Sequence, residues 1–160
     1  MFPLSIHTYF EIAALLAAII FWPKLKLTKL RWLLPFLLFM LSVEMAGRYM
    51  RTVQHVSNAW LYNISVPIEF LFYGFIFYHH YTRKSFMLIA EYFLILFAIF
   101  SVGNILFIQG FYKFNTNILK LGSFFMIILS CLYFTELLTK EEPVNFLKEP
   151  MFWLTEGVFL

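Results

Sequence analysis

A chain of 160 residues that is 62% hydrophobic and only 13% charged has too few polar side chains to cover a soluble surface, where about a quarter of residues are charged. The net charge is +3 and all nine acids are glutamate. The basic residues sit in short loops between apolar runs, which excludes a nucleic-acid-binding patch as a partner surface.

About 20 consecutive apolar residues are needed to cross the hydrocarbon core of a bilayer. Ser5–Trp22 forms the first such segment, closed by Pro23. No Lys or Arg precedes it, so it lacks the positive start of a cleaved leader and reads as a retained span. The second span is predicted over Leu30–Tyr49, the third over Trp60–Tyr78, the fourth over Phe86–Ile108 and the fifth over Asn117–Leu138. Met151–Leu160 follows Pro150, is apolar throughout most of its length and is too short to cross, so it reads as a sixth span cut short. The runs are solidly apolar rather than alternating, and backbone polar groups in lipid must be satisfied internally, so the spans are helices. The expectation is therefore one all-α domain, a polytopic transmembrane helix bundle with five complete spans and a truncated sixth. Cys131 lies within the fifth span and reads as a small buried apolar residue.

Orientation follows from the basic residues near helix ends. Lys24, Lys26, Lys29, Arg31, Arg83, Lys84, Lys140 and Lys148 fall on one side, and Arg48, Arg51, Lys113 and Lys120 on the other. Eight against four predicts a cell-membrane protein with its N-terminus outside. Trp22, Trp32, Trp60 and Trp153 fall near span ends, as interfacial aromatics do.

Ionisable groups inside spans are costly, by about 2.5–3.5 kcal/mol each, and are the candidate functional residues. Glu44, Arg48, Arg51 and His55 recur at i, i+4, i+7 and i+11, which puts them on one helical face. Glu44 and Arg48 have the acid-before-base order that favours pairing. Tyr62, Ser65, Glu69 and Tyr73 share a second face, with Glu69 near mid-span and Pro67 removing a backbone donor two residues earlier. Arg48 is the expected partner of Glu69. Glu11, Asn63, Asn104 and Lys120 lie at similar depth, so a single polar network or ligand-binding site is predicted from Glu11, Glu44, Arg48, Arg51, Asn63, Glu69, Asn104 and Lys120. Interhelical packing alone also uses such contacts. No HExxH, CxxC, Walker or GxSxG pattern occurs, so no catalytic residue, metal site or cofactor is expected.

Two resemblances bear on function. Trp60-Leu-Tyr-Asn-Ile-Ser-Val-Pro67-Ile-Glu69-Phe70-Leu-Phe-Tyr73 resembles the Pro-x-Glu-Glu helix of membrane lycopene cyclases, although Phe70 stands at the second Glu. The whole layout is similar to small bacterial six- and seven-helix membrane proteins and to the membrane modules of seven-helix bacterial sensors. The residues that carry this likeness are the Glu44/Arg48 pair, the Asn63…Glu69 helix and the Phe152-Trp153…Gly157 start of the last segment. The second resemblance implies a sensor or receptor-like module in which a changed Arg48–Glu69 contact alters helix packing. A small proton-coupled transporter using Glu69, and a membrane enzyme acting on lipid or polyene, are the competing expectations. The expected partners are the lipid bilayer, a small-molecule ligand, and a second copy or a signalling protein.

Overall fold

The computed structural model describes residues 6–139 together with Met151, Phe152 and Thr155. Every regular element among them is helical. Helix α1 spans Ile6–Ile20 and α2 spans Trp22–Leu25; a tight 3-10 turn at Lys29–Trp32 leads into α3, Leu33–Thr52. Helix α4 spans Ala59–His80, α5 spans Lys84–Gly103 and ends in a π turn at Asn104–Ile108, and α6 spans Thr116–Leu138.

Four stretches are long and apolar enough to cross a membrane: 29–52, 59–80, 84–108 and 116–138. Helix α1 is apolar but has 15 described residues, about 22 Å at 1.5 Å per residue against a core of about 30 Å. Pro23 offers no N–H to Ile19, so the helix stops at Phe21 and restarts as the single turn of α2. Four helices of spanning length and one shorter apolar helix thus stand where five full spans are predicted. Met151, Phe152 and Thr155 are helical; Met151 and Thr155 are buried, and the Phe152 ring meets Phe134 of α6 edge-on. The rest of the last segment, including Trp153 and Glu156, lies outside the described residues, as do Lys140, Pro143, Lys148 and Pro150.

Helix α4 is the hub, packing against α3, α5 and α6, while α1 packs against α3. Phe77, Phe97, Ile118 and Leu129 fill the centre. The outward surface is also apolar: Leu96, Ile99 and Phe107 are 59%, 66% and 85% exposed, which suits a lipid-facing rather than a water-facing surface. Cys131, expected to be buried, is on the exposed face of α6. Small residues set the interhelical spacing. A Cβ on Gly122 of α6 would stand 2.4 Å from the Phe70 ring of α4, so only glycine permits this approach.

Helix α3 ends because His55 adopts φ 53°, while Val56 N donates to Met50 O at 3.1 Å. This is the left-handed closure of a helix C-terminus. His55 is therefore a stop signal beyond the helix and not the fourth member of the stripe begun by Glu44.

Candidate functional site

Helices α1 and α3 form one pair, α4 and α6 another, and a cavity of about 560 Å³ lies between them. Glu11 of α1, Glu44 of α3 and Glu69 of α4 all line it. Tyr62, Ser65, Glu69 and Tyr73, the four residues of one α4 face, all open onto it. Phe10, Phe36, Met40 and Phe70 supply apolar wall, and Leu119 and Ser123 close it from α6.

One end of the cavity is held by a chain of hydrogen bonds across three helices. Tyr62 donates its hydroxyl to Glu44 Oε2 at 2.9 Å. Arg48 Nη2 lies 3.4 Å from Glu44 Oε1 and donates to Thr8 Oγ1 of α1 at 2.9 Å. Both carboxylate oxygens of Glu44 are thereby engaged. Thr8, fully buried, is a residue that sequence reasoning missed; its position one turn before Glu11 on α1 was the available signal.

Ser65 is 2% exposed, lines the cavity and finds no hydrogen-bond partner for its hydroxyl among the described residues. Three carboxyl groups line the cavity, and the Arg48 guanidinium stands beside one of them, Glu44. Among the described residues, no three His, Cys or carboxylate side chains converge as a metal site, so the glutamates stand around the wall rather than around one ion.

The other expected site residues lie elsewhere. Arg51 is exposed near the end of α3, and Lys120 is exposed on α6. Asn63 points at the α5–α6 loop. Its Nδ2 donates to Phe111 O and Lys113 O, both at 2.7 Å, and its Oδ1 accepts from Asn115 N at 2.9 Å. Asn104 belongs to a neighbouring knot: it donates to Gln109 Oε1 at 3.0 Å and accepts from Asn117 Nδ2 at 3.2 Å. The π turn makes this possible by letting Gln109 N reach Asn104 O at 2.9 Å. These asparagines fasten a loop and do not extend the cavity. Glu136, near the end of α6, is 6% exposed and accepts from Thr82 N at 2.7 Å and from the Thr82 hydroxyl, tying the α4–α5 turn to α6.

No family model, curated protein or solved structure matches the chain. Function is therefore argued from the chemistry of the cavity.

Proposed function

We propose that this chain is a receptor-like membrane module whose interhelical cavity takes a small organic cation. The observation that carries this reading is the set of three glutamates, one of them paired with Arg48, lining a cavity of about 560 Å³ with aromatic walls. Carboxyl groups on the wall suit an ammonium group, and Phe10, Phe36, Phe70, Tyr62 and Tyr73 supply aromatic and apolar surface for its body. Because α1, α3, α4 and α6 all border the cavity, a ligand there changes how the α1–α3 pair sits against the rest, which is the event a sensor transmits. In this reading the N-terminus is outside and the connections 21–32 and 81–83 are cytoplasmic, an orientation that the bias of basic residues supports.

A proton-coupled carrier is the second reading. Glu69 is the eleventh of 22 residues in α4, two places after Pro67, so a carboxyl sits mid-helix beside a missing backbone bond.

The test is thermal stabilisation of the purified protein in nanodiscs by a panel of alkyl- and arylammonium compounds, each paired with its neutral isostere. A ligand at 100 times its Kd adds about 2.7 kcal/mol. Selective stabilisation by the ammonium compounds that is lost in Glu69→Gln or Glu11→Gln is expected. Equal shifts from charged and neutral compounds would sink the reading. Amine flux driven by a pH gradient in liposomes, abolished in Glu69→Gln, would move the assignment to the carrier.

A further inference from the structure

At the opposite end of the bundle from the Glu44–Arg48 pair, two hollows lie side by side. One, of about 310 Å³, is polar and bordered by Lys29, Arg31 and His79; the other, of about 430 Å³, is an apolar groove between α3 and α4. Trp32 and Phe75 line both, so the two adjoin. No carboxyl group borders either hollow among the described residues, which leaves the polar part net positive.

The polar part is built. Lys29 Nζ donates to the carbonyl of His79 at 2.5 Å, which fixes the ammonium and leaves two of its three N–H groups for another acceptor. The Arg31 guanidinium lies 5.5 Å from the Trp32 ring centre, held by a cation–π contact at the rim. The apolar groove has a rigid floor, because Phe36 of α3 and Phe72 of α4 stack at 3.8 Å. Its walls remain open: Phe39, Ile68 and Phe75 are each more than a third exposed. From Trp32 to Phe39 along α3 is seven residues, about 10 Å, and Phe75 back to Ile68 along α4 matches it.

A pair of cations at a helix end, beside an outward-facing apolar channel that runs along a spanning helix pair, has the polarity profile of one molecule: a phospholipid. We propose that this is a binding site for an anionic phospholipid of the surrounding bilayer, with its phosphate on Lys29 and Arg31 and one acyl chain laid in the α3–α4 groove. Basic residues at a membrane surface favour anionic lipid, and the groove distinguishes this site from diffuse attraction by fixing the chain as well as the headgroup.

Native mass spectrometry of the full chain from mixed micelles tests it, using phosphatidylglycerol and phosphatidylcholine with identical chains. Phosphatidylglycerol should be retained in preference by roughly thirtyfold, the factor expected of two basic contacts. Lys29→Gln/Arg31→Gln should abolish the preference, whereas Lys24→Gln/Lys26→Gln, which removes the same charge outside the hollow, should keep it. Because Lys29 also bridges to α4, Arg31→Gln alone and Ile68→Trp, which fills the groove, are read in parallel; both should lower retention with the helical content unchanged. Equal loss in both double variants means a generic basic surface and overturns the site. Retention unchanged in Ile68→Trp, or glycerol phosphate competing as well as the whole lipid, removes the acyl groove from it and overturns it too.

Discussion

The Tyr62 hydroxyl and the Glu44 carboxylate, from neighbouring helices, meet at 2.9 Å on the wall of the cavity. Gly47, one turn after Glu44, is what lets them meet: a Cβ there would lie 2.9 Å from the Tyr62 hydroxyl. The tyrosine therefore lies across a glycine and reaches the acid, while Arg48 reaches the other oxygen of the same carboxylate. Glu44 is thereby oriented from two sides.

Tyr62→Phe removes one donor and keeps the ring. Interhelical hydrogen bonds of this kind contribute about 0.6–2 kcal/mol. The expected outcome is a fall in thermal stability of that size, with weaker ammonium binding because Glu44 is no longer fixed. Melting in detergent checks the first part and ligand titration the second. Unchanged stability would mean that the arginine alone positions Glu44.

Gly122→Ala places a methyl carbon 2.4 Å from the Phe70 ring, and Phe70 is a cavity wall. The ring can yield only by entering the cavity or by pushing α6 away from α4. Overpacking of this kind costs about 1–3 kcal/mol, and the cavity shrinks, so stability and ligand affinity should fall together. Gly103→Ala is the control, since a Cβ there meets nothing within 4 Å; it should be neutral or stabilising by up to about 1 kcal/mol. Equal melting temperatures for the two variants would contradict the close approach.

The helices were legible because their signal is coarse: long apolar runs, broken by Pro23 and by charged loops, admit one secondary structure in lipid. The acids lining the cavity were legible because Glu44 and Glu69 each sit in a face of polar residues at helical spacing. Depth along the membrane, however, does not fix azimuth. Lys120 and Asn104 lie at the depth of Glu44, yet Lys120 faces outward and Asn104 is drawn to Gln109 by a π turn that no residue pattern announces. Thr8 was overlooked because its role depends on a distant partner, Arg48, and the tie that Glu136 makes to Thr82 is set by the fold in the same way.

Asn63 spends both ends of its amide on the α5–α6 loop, donating to two carbonyls and accepting one backbone N–H. Asn63→Asp keeps the shape and the acceptor but loses the donor, turning a carboxyl oxygen toward Phe111 O and Lys113 O. Asn63→Ala leaves three groups unpaired, at about 0.5–1.5 kcal/mol for each bond lost. Both should loosen residues 109–115, seen as faster amide exchange there. The aspartate should be the worse of the two at neutral pH, because it adds repulsion to the loss. An aspartate variant as stable as wild type would show that water replaces the amide.

Phe36 is a wall shared by two spaces. It lines the glutamate cavity and the α3–α4 groove, stacks on Phe72 at 3.8 Å and meets Tyr73 edge-on at 5.6 Å. Its ring is 6% exposed, so it separates the two by filling the space between them. Phe36→Ala should cost about 3–5 kcal/mol and join cavity to groove. Ammonium binding and phosphatidylglycerol retention should then fall together, whereas Arg31→Gln should lower only lipid retention and Glu69→Gln only ammonium binding. Phe36→Leu, which keeps most of the volume, should restore both. If Phe36→Ala weakens one binding event and leaves the other at its wild-type level, the ring is not the common wall, and the two spaces respond to their occupants independently.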